Sequence, residues 1–331
     1  MNRLKRFFNS TEADAILLFN GDAAREPDPN LYYFAGFAID SAFFIASRES
    51  EPVLVVSPMG FEMAREKFAG RVEKAKGKEL WRKLAGELKK TRLVGLDKRF
   101  LDAATYCGLS RLRKRFQDVS RELQMLRAVK EEGELRAMRK ACAVAKAALE
   151  SVRLKAGKTE ERIAAEIEMA LLENGAGKAF SPIVASGLNS RFPHATATGR
   201  KWRDNEILLV DFGARWNGYN SDFTRCFFSG SCREERRAYE KLEEAFRALV
   251  KKAKPGIPAA RLAAAAVEFM DETGFPEMTH SVGHGVGLEV HEEPSLKKSS
   301  KSVLRKGNVV AIEPAFYGKK WGARFEETIF I

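Results

Sequence analysis

The chain is poor in the residues that build sulfur-based or covalently stapled sites. Its four cysteines, Cys107, Cys142, Cys226 and Cys232, are scattered through 331 residues without a CxxC pair. That spacing excludes a structural zinc site of the usual pattern and a disulfide framework, and it fits a reducing cytoplasm. Long hydrophobic runs are missing as well. The start, MNRLKRFF, has the basic look of an export signal, but Glu12 and Asp14 precede the only apolar run nearby, Ala15 to Phe19. Such a run is too short for export or for spanning a bilayer. HExxH, GxSxG and P-loop patterns do not occur, which removes three common routes to hydrolysis or phosphate binding. Low-complexity tracts and solenoid repeats are also absent.

Charge is abundant and unbalanced, with a formal net +12. A basic total invites a polyanion partner, since Lys and Arg neutralise phosphates. Here the basic residues interleave with acids along helical stretches such as EERRAYEKLEEAFRALVKKAK (234–254), the pattern of a solvated helix face. Neither nucleic acid nor membrane is therefore expected as a partner.

A chain of this length holds two cores. The first 120 or so residues alternate strand-like runs, AILLFN (15–20), SAFFIAS (41–47), PVLVVS (52–57) and RLVGLD (92–97), with amphipathic helical stretches, which predicts an α/β layer domain. A helical pattern follows from about Ser120 to Leu154, with Gly133 as its expected break. The boundary is placed there, giving domains 1–122 and 123–331 and an α+β chain overall. The second part opens with a helix, Glu160 to Glu173, capped by Thr159 and closed by Asn174-Gly175. Strand-like segments come next, FSPIVAS (180–186), EILLVDFGARW (206–216) and YNSDFTRCFFSG (219–230). Helices at about 233–253 and 258–272 follow, separated by Pro255-Gly256, with Pro258 in the second helix's first turn. Two last strands are NVVAIEPAFY (308–317) and ARFEETIFI (323–331).

Histidine is as scarce as cysteine, and its four positions, 194, 280, 284 and 291, all lie in segments punctuated by Gly, Pro or Ser. A lone histidine is usually structural, but four in such settings point to a site. Asp211 interrupts the apolar run ILLV-Asp-F, where an unpartnered carboxylate would cost several kcal/mol. It needs a cation. Asn217-Gly218 is a strong hairpin signal. A two-residue loop there sets Trp216 against Tyr219 and Asp211 against Thr224, so Asp222 shares the sheet face of Asp211 on the diagonal. Glu313 interrupts VVAI-Glu-P in the same way. Across the loop Gly318 to Gly322 it falls nearly opposite Glu326, and two buried acids face to face repel unless protonated or metal-bound. The candidate shell is thus four carboxylates and one imidazole. Its oxygen-rich chemistry suits Mn, Co, Fe or Zn. Four negative charges are balanced by two divalent ions, and such a pair can hold a bridging hydroxide as nucleophile for hydrolysis.

Five segments in order, ASGLNSRFPHA (185–195), VDFGARWNGYNSDFTR (210–225), HSVGHGVGLEVHEEP (280–294), IEPAFY (312–317) and RFEE (324–327), resemble the pita-bread metallopeptidases. That family comprises prolidase (Xaa-Pro dipeptidase), aminopeptidase P, methionine aminopeptidase and creatinase. LYYFAGF (31–37) resembles its creatinase-type amino-terminal domain, so the resemblance covers the whole chain. It implies a creatinase-like domain followed by a pita-bread catalytic domain, with two divalent ions, Mn or Co ahead of Zn or Fe, on Asp211, Asp222, His284, Glu313 and Glu326. It also implies that His194 and His291 flank the reacting centre, that Glu313 shuttles a proton, that His280 shapes the proline pocket and that Arg324 binds the substrate. The implied substrate is a small peptide with proline after its first residue, and the implied assembly is a homodimer.

The short two-domain layout favours a dipeptidase over aminopeptidase P. Methionine aminopeptidase lacks such an amino-terminal domain and usually has Gln at the position of Arg324. Creatinase chemistry and a non-catalytic binding role are disfavoured because all five ligand positions are filled. Ala315 and Glu327 depart from the family's usual Gly and Asp. The chain runs only five residues beyond Glu326, which predicts a less covered carboxy-terminal edge of the catalytic sheet.

Overall fold

The computed structural model describes residues 3–21, 27–275 and 278–331. Two compact units divide at Leu126–Arg127. The basic start is a helix, α1 (Arg3–Phe8), whose first two sequence neighbours lie outside the described residues.

In the first unit, β1 (Ala15–Asn20), α2 (Pro29–Ala35), β2 (Ala42–Ser47), β3 (Val53–Val56), α3 (Phe61–Lys67), β4 (Arg71–Lys74), α4 (Lys78–Glu87), β5 (Leu93–Leu96), α5 (Ala103–Ser110) and β6 (Arg115–Asp118) form one layered domain. Its mixed sheet runs β4-β3-β2-β1-β5-β6. The four inner strands are the apolar runs expected from sequence. The two edge strands, RVEK and RFQD, are half exposed and charged. Charged residues at a sheet edge discourage pairing with another chain, and they erase the apolar signal by which a strand is recognised.

α6 (Ser120–Ala128) and α7 (Glu132–Ser151) replace the single long helical pattern. The break falls at residues 129–131 rather than at Gly133, which lies in the first turn of α7. Two features make it. The Lys130 N–H leaves the helix to donate to the Gly307 carbonyl at 2.8 Å, and Glu131 with Glu134 forms a capping box that starts α7. α8 (Glu160–Glu173) has the expected bounds and its Thr159 cap.

The remaining elements are β7 (Gly177–Lys178), β8 (Ile183–Ser186), β9 (Ile207–Phe212), β10 (Ala214–Trp216), β11 (Tyr219–Asn220), β12 (Phe223–Phe228), α9 (Arg233–Lys252), α10 (Ala259–Thr273), β13 (Gly283–Gly285), β14 (Val309–Ile312), β15 (Ala315–Tyr317), β16 (Gly322–Arg324) and β17 (Glu326–Phe330). Pro258 caps α10 instead of entering its first turn. The main sheet is antiparallel, in the order β13-β14-β17-β12-β9-β8. Along β9 the side chains alternate between two cores. Leu208, Val210 and Phe212 pack with α7 and α8, while Ile207 and Leu209 pack with α9 and α10. Helix pairs therefore cover both faces, and β9 is buried throughout.

The last strand is interior, between β14 and β12. The expected less covered edge is thus corrected, because β17 pairs on both sides and the Ile331 N–H donates to the Asn308 carbonyl at 2.9 Å. Each long strand-like run also proves to be two strands. The first breaks at Gly213, where a Cβ would meet the Ser221 carbonyl oxygen at 2.0 Å. Another breaks at Ser221–Asp222, where the Ser221 Oγ accepts from the Ala214 N–H and the Asp222 N–H donates to Thr328 Oγ1 at 2.8 Å. The third breaks at Glu313–Pro314, since proline has no N–H for the ladder, and the fourth at Phe325, whose N–H donates to the Pro314 carbonyl. All four breaks adjoin candidate ligands. FSPIVAS keeps only its second half as β8.

Candidate metal centre

The turn Asn217-Gly218 has φ 47° and 77°, the doubly positive pair of a type I′ hairpin. It fixes Trp216 opposite Tyr219 and Asp211 opposite Thr224, the register expected from sequence. On its other side Thr224 pairs with Glu326. Ile312 pairs with Glu327, and extending that register by one residue brings Glu313 opposite Glu326. One row across the sheet therefore reads Asp211, Thr224, Glu326, Glu313. Two residues along the strands, hence on the same face, lies a second row, in which Asp222 bonds to Thr328, Thr328 pairs with Ala311, and Ala311 pairs with His284. Sheet geometry alone gathers four acids and one histidine from five strand segments.

Within this gathering, ligand atoms of Asp222, His284 and Glu326 all lie within 4.8 Å of one another. Glu313 approaches from the rim, its Oε1 3.8 Å from His284 Nε2 and its Oε2 3.5 Å from His280 Nδ1. Asp211 closes the other side. Arg324, buried, donates to Asp211 Oδ2, to Thr224 Oγ1 at 2.8 Å and to the Tyr317 hydroxyl at 2.7 Å. Its Nε is 3.6 Å from Glu326 Oε2, so it stands among the acids. Thr224 also donates to Glu326 Oε2 at 2.6 Å. Thr224, Tyr317 and Thr328 were not singled out from sequence, although Thr224 is the residue that the hairpin register sets against Asp211.

Electrostatics show a site that lacks positive charge. Burial raises the pKa of Asp211, with Arg324 opposing. Burial and the neighbouring Glu326, Asp211 and Glu313 push Asp222 well above the carboxylate range. Glu313 rises in the same way, through burial and then Glu326, and Glu326 is pushed up to about 7 by burial and Asp211. His284 is pushed down to about 3, by burial and then by His291, whose ring packs edge-to-face on it at 4.2 Å. The His284 Nδ1 lies 3.0 Å from the Gly285 carbonyl oxygen. That oxygen can only accept, so Nδ1 carries the proton and the Nε2 lone pair faces Asp222 Oδ2 at 3.6 Å and Glu313 Oε1 at 3.8 Å. A neutral imidazole beside these carboxyls is no ion pair. Once the two acids ionise, the Nε2 is an acceptor facing acceptors, and a cation satisfies all three.

A second sign is the Asp211 Oδ1, buried without a hydrogen-bond partner among the described residues, a costly state unless something binds it. Four negative charges against the one of Arg324 leave a formal −3 in the cluster. The expectation from sequence counted −4. One divalent ion leaves an excess of negative charge, and two leave a single positive charge for an anionic nucleophile or substrate carboxylate. Oxygen and imidazole donors with an Nδ1-anchored histidine fit divalent transition metals.

The remaining histidines surround this centre. His280 holds Nδ1 on the Ser281 carbonyl at 2.7 Å, stacks edge-on to Tyr317 at 5.7 Å, and leaves its buried Nε2 without a partner among the described residues. His291 and His194 are both exposed. His194 follows the 3-10 turn Gly187–Arg191 and is near enough to Asp211, His280 and His291 to bear on their pKa values.

A buried cluster of carboxylates and histidine on an antiparallel sheet covered by helix pairs has the donor set of a metal-dependent hydrolase. Residues 136–331 match the model of metallopeptidase family M24, and residues 1–129 match the creatinase/prolidase N-terminal domain. The chain belongs to metallopeptidase family M24. It is similar to the Xaa-Pro dipeptidase of Pyrococcus horikoshii, at 34% identity over 100% of this chain and 93% of the relative. Among solved structures it resembles the prolidase of that organism, with a TM-score of 0.89, 33% identity and coverage of 100% and 95%. It also resembles an X-Pro aminopeptidase of Thermotoga maritima, with a TM-score of 0.89, 30% identity and coverage of 98% and 95%. No described helix is long and apolar enough to cross a membrane.

Proposed function

We propose that this chain hydrolyses the Xaa-Pro bond of dipeptides, using two divalent metal ions held by Asp211, Asp222, His284, Glu313 and Glu326. The observation that carries the reading is the His284 Nε2, an unprotonated acceptor aimed at two buried acids. Manganese or cobalt is the first choice, with zinc or iron next. When bound, such a pair lowers the pKa of a water toward neutrality and polarises the scissile carbonyl. Cleavage before proline makes a special demand. The scissile nitrogen carries no hydrogen, so the enzyme cannot orient the bond by a donor there and must deliver a proton as the nitrogen leaves.

Five residues of this chain answer that demand. Glu313, at the rim and beside His280, takes a proton from the attacking water and returns one to the leaving nitrogen. His194 and His291, open to solvent, orient the carbonyl and assist the transfer. His280, with Tyr317 against its ring, shapes the wall against which the proline ring lies. Arg324 holds Asp211 and Glu326 in place and offsets their charge, and in this reading it also binds the substrate. The same reading has the enzyme act in the cytoplasm as a homodimer.

Relatives named Xaa-Pro dipeptidase at 34% and 32% identity over the full chain support the dipeptide. The similarity to an X-Pro aminopeptidase favours one second reading, cleavage of longer Xaa-Pro peptides. Hydrolysis of Xaa-Pro, Xaa-Pro-Yaa and Met-Xaa peptides with added manganese or cobalt separates them. Preference for Xaa-Pro supports the proposal, preference for Xaa-Pro-Yaa replaces it by the second reading, and cleavage of Met-Xaa alone rejects both.

A further inference from the structure

Glu160, at the start of α8, is fully buried, yet among the described residues its side chain hydrogen-bonds to none of the candidate metal ligands. Burying a carboxylate is costly unless donors surround it. Here they do. Its Oε1 accepts from the Ser186 N–H and hydroxyl, both at 2.8 Å, and its Oε2 accepts from the Thr198 N–H at 3.1 Å and hydroxyl at 2.6 Å. The Asn189 amide donates to both oxygens, at 3.1 and 3.0 Å. The backbone repeats the tie, since the Glu160 N–H donates to the Arg200 carbonyl at 3.0 Å and the Glu161 N–H to the Thr198 carbonyl at 3.1 Å.

Capping α8 does not require this carboxylate, because Thr159 already accepts from the Arg162 N–H. What the donors share is a loop. Ser186 ends β8, Asn189 lies in the following turn, and Thr198 closes the segment, so one side chain fastens both ends of residues 186–198. His194 lies between them. Among the described residues no hydrogen bond holds the His194 ring, so its place follows from the backbone on either side.

The geometry points to Glu160 as the positioning residue of His194, setting the imidazole over the metal centre by clamping the two ends of its loop. This rests on the catalytic reading of His194 given above. A displacement of about 1 Å in a group that must meet reacting atoms costs on the order of 10²-fold in rate, whereas a clamp that only stabilises the fold would leave the rate of the folded enzyme alone.

The test is a double-mutant cycle on the full chain with manganese, using Glu160→Gln and Thr198→Val, each alone and combined with His194→Ala. Kcat on an Xaa-Pro dipeptide, bound manganese and amide exchange over residues 186–198 are measured. Glu160→Gln is expected to lower kcat by about 10- to 100-fold, keep the manganese content, speed exchange in the loop, and cause no further loss once His194 is alanine. Thr198→Val, which removes one donor and keeps the carboxylate, follows the same pattern with smaller effects and carries the cycle if Glu160→Gln does not fold. Equal fold-losses with and without His194, or loop exchange unchanged from the parent, overturn the assignment of Glu160 alone. Full kcat in the single variant His194→Ala removes instead the catalytic role of His194, and the route proposed for Glu160 with it.

Discussion

Replacing Asp222 by asparagine should stabilise the metal-free protein while abolishing its activity, an outcome opposite to that of most substitutions at buried charged positions. Asp222 is buried, its pKa is raised by burial and by Glu326, Asp211 and Glu313, and its side chain lies 3.6 Å from the His284 Nε2 and within 4.8 Å of Glu326. Without metal it contributes repulsion. Two unit charges at 4.8 Å, the outer limit of the Asp222, His284 and Glu326 cluster, repel by about 3 kcal/mol at an effective dielectric of about 20. Partial protonation of the acids reduces this, so the gain for Asp222→Asn at pH 8 is about 1–3 kcal/mol. At pH 5 the acids hold their protons and the gain should shrink. With manganese the order reverses, because the parent gains the binding free energy and the variant loses one ligand. Urea unfolding of parent and variant, chelated and manganese-loaded, at pH 5 and pH 8 gives all the required differences. A chelated variant less stable than the chelated parent at pH 8 would refute the repulsion argument.

Three further outcomes follow from the same geometry. For the metal-free parent, the folded-state pKa of Glu326 lies at about 7 against an ordinary 4.5; since it is raised, its stabilisation is present below the ordinary carboxyl range and lost as pH rises through 7, on the order of 3 kcal/mol. Chelated protein should therefore lose stability between pH 5 and 8, and a flat profile would contradict the burial of unpaired acids. His194→Ala should lower kcat by about 10²–10⁴-fold with bound metal unchanged; lost metal would make His194 a ligand, and an unchanged kcat would make it a turn residue. Gly213→Ala sets a Cβ 2.0 Å from the Ser221 carbonyl oxygen, forcing apart the strands that carry Asp211 and Asp222. It should weaken manganese affinity more than it lowers the melting temperature of chelated protein, measured by titration and calorimetry, and unchanged affinity would show that the close approach does not set the ligand spacing.

Sequence reading worked best where chemistry interrupts pattern. An acid inside an apolar strand is conspicuous because burial penalises it, so Asp211 and Glu313 stood out, and the Asn217-Gly218 turn set the Asp211–Thr224 pairing that the structure has. The inner strands of both sheets were legible for the same reason, since their apolar runs have few other uses. Edge strands β4 and β6 were not, because charge replaces apolar residues where a strand faces water. Breaks within the long strands escaped notice too. They depend on contacts distant in sequence, such as Asp222 with Thr328, that no local pattern encodes. The same limit hid the position of Arg324 among the acids and the loop-clamping bonds of Glu160, which join residues 26 and 38 positions apart. A buried acid at a helix start looks like an ordinary first-turn glutamate until its partners are seen.

The central claim, that five side chains converge to hold a metal pair, is tested most directly by counting ions. Chelated protein dialysed against manganese and analysed by elemental emission should bind two ions per chain in the parent. Asp222→Asn should bind fewer, and the loss of metal should parallel the loss of Xaa-Pro hydrolysis. A parent that binds no manganese, or an Asp222→Asn variant that binds two ions and cleaves the dipeptide at the parental rate, would contradict the account.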